Sequence, residues 1–203
     1  VAVPHLGEEI HFYVSVPKKY AEVTAKQIQG IWNVASVLAV KDDYNIFNAS
    51  GATSAAYISQ KENYALPIKS YTELETDTFN SILGGFAKIN EVGEGAALQI
   101  LIKPAGNQAK KGVRHVLDAL KRGESLEDSI KNNPMHMLKE TFNPKAKEEK
   151  QADRIVDEEA VKALTSKLSK PMFTVNARIL ASAATPFQAN DVLEGIAAGF
   201  DQF

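Results

Sequence analysis

Val92-Gly93-Glu94-Gly95-Ala96-Ala97-Leu98-Gln99-Ile100-Leu101-Ile102-Lys103-Pro104 is a glycine-bracketed turn that runs straight into a dense apolar segment closed by a proline. Gly93 and Gly95 are read as structural turn residues, because glycine takes backbone angles denied to other residues, left-handed ones at Gly95 included. Leu98 to Ile102 supply a buried strand, and Pro104 removes the donor with which the ladder would continue. Such a strand needs partners on both sides, so the neighbouring sequence decides the fold.

Immediately upstream, Thr76-Asp77 precedes Phe79, Ile82, Leu83, Phe86 and Ile89, whose three- and four-residue spacing predicts an amphipathic helix with an acidic cap. Further back, Ile10, Phe12, Val14 and Val16 alternate with His11, Tyr13 and Ser15, the period of a half-buried strand. Pro17 ends it, and Tyr20, Val23, Ala25, Ile28 and Ile31 continue at helical spacing up to the neighbourhood of Gly30. Ala35 to Val40 reads as a second strand, and Ala55 to Ile68 as a long strand or a hairpin with Pro67 favouring an edge. The order to Pro104 is β-α-β-β-α-β, the ferredoxin-like split arrangement, with two helices on one face of an antiparallel sheet.

Beyond Pro104 the character changes. Lys110, Lys111, Arg114, Lys121 and Arg122 accompany Val113, Val116, Leu117 and Leu120 on a helix that stops at Gly123. Ser125-Leu126-Glu127-Asp128 has a capping-box outline and starts a short helix, closed at Asn132-Asn133-Pro134. Residues 139–153 hold almost no apolar anchor and are expected to be a solvent-exposed connector. Asp157-Glu158-Glu159 opens a helix to Lys170, Phe173 to Ser182 is a strand, and Thr185-Pro186 opens a final helix. The fold class is therefore α+β: a ferredoxin-like βαββαβ domain at 1–105, a helical, charged connector at 106–153, and an αβα segment at 154–203. That last segment weakly echoes the beginning and is expected to belong to a second ferredoxin-like unit.

A net charge of −2 and a pI near 6.1 provide no overall positive field for a polyanion. The absence of cysteine removes disulfides, thiolate metal sites and cysteine nucleophiles, and fits an intracellular protein. No run reaches the roughly 18–20 apolar residues of a membrane span, and the start has no signal-peptide pattern. Both ends read as cut from a longer protein.

No catalytic constellation is visible. There is no phosphate-loop motif, Gly93-Glu94-Gly95 lacks a third glycine, and Glu94 would repel phosphate. His5, His11, His115 and His136 are scattered, without a pair at ligand spacing. Glu8-Glu9 and Asp42-Asp43 default to surface acids, and Ser50 and Ser54 lack a nucleophile elbow. Neither cofactor nor metal is expected. The central strand offers no aromatic platform for RNA. The helix at 110–122 is the one basic cluster; Lys110, Lys111, Arg114, Lys121 and Arg122 are its candidate contacts with nucleic acid or an anionic surface, a solvated helix face being the default.

Several stretches carry a resemblance: Pro4-His5-Leu6-Gly7-Glu8-Glu9-Ile10-His11-Phe12-Tyr13-Val14, Tyr44-Asn45-Ile46-Phe47, Tyr64-Ala65-Leu66-Pro67-Ile68-Lys69, Gly93 to Gln99, and the close Ala198-Gly199-Phe200-Asp201-Gln202-Phe203. In number and order they resemble the region preceding the motor domain in membrane-associated conjugation-type ATPases of reduced-genome bacteria. These are the type IV secretion coupling proteins, TraG/TraD-like and HerA-like hexameric DNA pumps. The Walker motifs of such motors are missing here, so no ATPase residue carries over. The resemblance implies a non-catalytic accessory domain that links membrane anchor to motor at the inner face of the membrane and aids assembly or substrate reception. Its partners would be other regions or subunits of the parent ATPase, with oligomerisation in the parent. Two other classes compete with it: a stand-alone nucleic-acid-binding domain using the basic helix at 110–122, and a small-molecule enzyme on a ferredoxin-like dimer.

Overall fold

The computed structural model describes residues 1–4, 9–40, 45–69, 77–89, 92–131 and 157–201. In chain order the elements are β1 (Ala2–Val3), a 3-10 turn (Lys18–Tyr20), α1 (Ala21–Ile31), β2 (Ala52–Ile58), α2 (Thr78–Phe86) and β3 (Gly95–Pro104). There follow α3 (Asn107–Lys121), α4 (Leu126–Lys131), α5 (Glu158–Ser169), β4 (Phe173–Ala183), α6 (Pro186–Ala197) and a 3-10 turn (Ala198–Phe200). Among the described residues the strands form one antiparallel sheet of four, in the order β1-β3-β4-β2. The class is α+β.

Helix starts follow local chemistry. The Asp77 carboxylate accepts from the backbone N–H groups of Phe79 and Asn80, and Asp157 accepts from that of Ala160 at 2.9 Å. Ser125 Oγ accepts from Asp128 N and donates to Asp128 Oδ2 at 2.6 Å, and Thr185 Oγ1 accepts from Gln188 N ahead of Pro186. Each cap satisfies donors that the first helical turn leaves orphaned.

The sheet differs from expectation at its centre. The three described strands of the first 105 residues do not close a βαββαβ sheet of their own, because β4, from the tail, lies between β3 and β2. The αβα order of α5, β4 and α6 is present, yet β4 joins this sheet rather than opening a second one. Two expected strands are missing. Residues 10–16 touch the sheet at one bridge, where His11 and Ala2 exchange backbone hydrogen bonds of 2.9 Å, and residues 35–40 form no strand. The period-2 pattern of residues 10–16 is real, but its apolar side faces out: Phe12 and Val14 are exposed while Tyr13 packs inward.

The chain forms two compact units. Val1–Tyr57, Thr76–Gln99 and Arg178–Gln202 make the first, Ile58–Glu75 and Ile100–Ala177 the second. They part after Gln99 within β3 and after Ala177 within β4, so neither is a contiguous run like the segments 1–105 and 154–203. In the first unit Ala2, Ile46 and Ala97 form a buried cluster, flanked by Tyr13 and Leu180. There α2 lies against α6 so closely that a β-carbon on Gly85 would stand 2.7 Å from the Gly195 carbonyl oxygen. In the second unit the buried face of α3, Val113, Val116, Leu117 and Leu120, packs on Leu164 of α5 and on Ala65. Each of the large side chains contributes about 1.5–3 kcal/mol by leaving water. Lys167 Nζ donates to the carbonyl oxygens of Tyr64 and Leu66, both at 2.6 Å, and so ties α5 to the turn that carries Ala65. Burial pushes that ammonium below the ordinary lysine range. The expected connector at 139–153 and the stop at Asn132-Asn133-Pro134 lie outside the described residues.

Candidate interaction surface

The expected cation cluster sits in the second unit on the solvent side of α3, opposite its buried face. Lys110, Lys111, Arg114, Lys121 and Arg122 are all exposed. Helical spacing brings Lys110, Lys111 and Arg114 together, but Asp118 interrupts the stripe one turn on. Arg122 is engaged by Glu124, Nη2 to Oε1 at 2.8 Å. The result is a short cationic patch on a solvated helix, with no aromatic residue on that face to stack a base.

A hollow of about 300 Å³ lies in the first unit beside the close approach of α2 and α6. Glu94, Asp191 and Glu194 line it with Lys88, Ile89 and Val192. Asn190 Nδ2 donates to Glu194 Oε1 at 2.6 Å, so one of these carboxylates already has a partner. Among the described residues no group of three or more His, Asp or Glu is placed to hold a metal ion. His11 is exposed, 3.7 Å from Glu9, and His115 lies half-buried on α3; His5, His136, Glu8, Asp42 and Asp43 are outside the described residues.

The two turn glycines have different roles. Gly93 has a φ of 101°, whereas the positive-φ glycines of the described chain do not include Gly95. The left-handed reading of Gly95 is therefore corrected: an added β-carbon there would collide with the carbonyl group of Ile46. Asn48, in the small polar stretch ahead of β2, holds this region together. Its N–H donates to Ser182 Oγ at 3.0 Å, its Nδ2 to the Gly93 carbonyl oxygen at 3.4 Å, and its Oδ1 accepts from Ser50 N at 3.1 Å. Two of those partners, Ser182 of β4 and Gly93 just ahead of β3, are too distant in the chain to be read from local sequence.

The least expected surface is apolar. Between Phe12 and Val40, in the first unit, none of the α1 residues is buried, and among the described helices and strands α1 packs extensively only on its own leading 3-10 turn. Val34 is 92% exposed, Leu38 78%, Ile31 72% and Trp32 59%, while Phe12, Val14, Tyr20, Val23 and Val40 are exposed as well. The Phe12 ring stands 6.2 Å from that of Phe79, itself exposed on α2. No charged residue occurs from Gln27 to Val40, and the charges of the helix face sit elsewhere, Lys26 paired with Glu22 at 2.7 Å. We refer to residues 12–40 as the strap. Its signal in the sequence was the alternation at 10–16 and the strand-like run at 35–40, which says that a side should be covered without saying by what.

Fold and surface together define an α+β protein with a four-stranded antiparallel sheet and a long apolar strap. The chain belongs to the family described as Domain of unknown function (DUF8128), whose profile matches residues 4–203. No curated protein and no solved structure matches it.

Proposed function

We propose that this chain is a non-catalytic accessory domain of a conjugation-type DNA-translocating or secretion ATPase, joining membrane anchor to motor and assisting assembly or substrate reception. The observation that carries this reading is the strap, where ten large apolar side chains between Phe12 and Val40 are exposed; apolar exposure concentrated in one segment supports a protein contact site. The sequence resemblance to the region ahead of the motor in coupling proteins supports the particular machine. No helix of the described residues is long and apolar enough to cross a membrane, so a place at the inner membrane face would come through other parts of the parent. The finer fold reading also belongs here. β2, α2 and β3 form a crossover with β4 between its strands, the kernel of a ferredoxin-like split βαβ, which supports assigning the first unit to a variant of that fold.

The test is the natural full-length protein. Its reading frame should carry a P-loop motor after this domain. Leu38→Asp in that protein should reduce DNA or substrate transfer at least about tenfold, a loss of ~1.4 kcal/mol of coupling, while the domain melts as before. A frame with no motor, or full transfer by the variant, overturns the proposal. A second reading, direct nucleic-acid binding, is favoured only by the patch at Lys110, Lys111 and Arg114.

A further inference from the structure

We infer that the strap is a self-association surface, on which two copies of this chain pair edge to edge through residues 35–40, with α1 and Phe12–Val16 completing the contact. The inference rests on reading the strap as a contact surface, and not on the identity of the parent machine. Three observations lead from an exposed strap to a second copy.

The first is the backbone. Residues 36–40 make no hydrogen bond to another described residue, and neither do residues 14–16. These segments are rich in β-branched residues and carry neither charge nor, within 27–40, any proline. Exposed strand-forming segments of isolated proteins are normally protected by lysine, proline or a bulge. A lipid surface would bury the side chains but leave the peptide groups unpaired, at a cost that excludes irregular backbone from hydrocarbon. A nucleic acid would need cations, which both segments lack. Another strand satisfies side chains and backbone together, by strand addition.

The second is self-complementarity. Antiparallel pairing of residues 34–40 about a two-fold axis at Val37 sets Val34 against Val40 and Ser36 against Leu38. Cross-strand neighbours then meet as apolar or small pairs, and no like charges face one another. A closed two-fold contact also leaves no free edge to propagate.

The third is area. With about 150–250 Å² available to a large side chain, ten such residues at the exposures found between Phe12 and Val40 present on the order of 1,000 Å². The largest apolar patch on a typical monomer is roughly 300–600 Å², whereas a stable interface covers about 800 Å² on each partner. The summed exposed apolar area of the strap is thus of the size that one partner of a dimer contributes.

The absence of cysteine makes the test direct. Single cysteines at Ala35, Ser36, Val37 and Leu38 should give covalent dimers under mild oxidation, peaking at one position of the scan, while a Thr174→Cys control should not. Light scattering of the unaltered chain at about 50 µM should give twice the monomer mass. Val34→Asp and Leu38→Asp should return it to monomer with unchanged circular dichroism. A chain that stays monomeric, with scan positions no more cross-linked than the control, overturns the inference. So does flotation with phosphatidylserine vesicles by a chain that does not dimerise, which would place lipid on the strap. If the chain is monomeric yet full-length Leu38→Asp still loses transfer, the self-pairing falls and the proposed function stands; if dimers form but transfer survives, the reverse holds.

Discussion

Replacing Gly95 by alanine probes a close backbone approach in the first unit. The added β-carbon would meet the Ile46 carbonyl oxygen, with the Ile46 carbonyl carbon and α-carbon at 3.1 Å. Relief requires Ile46 to retreat, but Ile46 is buried with Ala2 and Ala97. Overpacking a core costs about 1–3 kcal/mol. Because the obstacle is main chain and cannot rotate away, the upper end, about 3 kcal/mol, is expected here. For a chain of this length that corresponds to a fall in melting temperature of roughly 6–12 °C. Gly93 supplies the contrast. Its φ of 101° disfavours any side chain, by about 1–2 kcal/mol, and a β-carbon there would meet only Asn48 Nδ2 at 3.0 Å. Asparagine, which tolerates left-handed backbone, should therefore be milder than alanine at 93 but worse than alanine at 95, where it only adds volume. Thermal and urea unfolding followed by circular dichroism read all four variants. If Gly95→Ala melts within about 2 °C of the unaltered chain, or if asparagine rescues position 95, the close-approach argument is wrong.

Gly85→Ala should destabilise by about 1–3 kcal/mol, since its β-carbon would press on Gly195 and on the Ile196 α-carbon at 2.8 Å, separating α2 from α6; an unchanged urea midpoint contradicts this. Lys167 makes stability depend on alkaline pH. Its folded-state value is lowered by burial, so between that value and the ordinary lysine value the unfolded chain holds a proton the folded chain has released, and stability rises with pH. The urea midpoint of the unaltered chain minus that of Lys167→Met should climb through this window and be flat below it; no climb would remove the effect. Changing Lys110, Lys111 and Arg114 together to alanine should alter stability by less than about 0.5 kcal/mol. The unaltered chain should bind duplex DNA no more tightly than about 1 µM at physiological salt; submicromolar binding that vanishes in the triple variant would establish the nucleic-acid reading instead.

What was legible in the sequence was local. Asp77, Ser125, Asp157 and Thr185 announce their helices because a cap needs only its neighbours. The apolar stripe of α3 and the runs of β3 and β4 were equally plain as elements, but the burial expected for Leu98 to Ile102 is corrected: Leu98 is buried, whereas Ile100, Leu101 and Ile102 are exposed, because the core covers only the first half of β3. Strand order was not, since nothing near Gly95 or Ala52 specifies that a segment over seventy residues further on will lie between their strands. Gly95 was identified as constrained, but the constraint comes from Ile46, a contact that backbone preference cannot reveal. At 10–16 the alternation gave the right period and the wrong side, because period says that two faces differ and not which one this chain covers. Lys110, Lys111, Arg114 and Lys121 are exposed on α3, while the engagement of Arg122, just past its end, by Glu124 emerged only from the geometry.

The position of β4 has a consequence for synthesis. β2 and β3 leave the ribosome long before the strand that joins them, since β3 ends at Pro104 and β4 at Ala183. At about 5–20 residues per second, the delay is roughly 4–16 s. Throughout it the nascent chain holds two strands with no neighbour between them, together with the uncharged run from Gln27 to Val40. Pauses in translation across this interval would prolong that exposure, and a chain released before β4 would have no means of completing its sheet. β4 thus acts as a check on the segments before it: only a chain that has reached Ala183 can conceal the strand edges that earlier segments present.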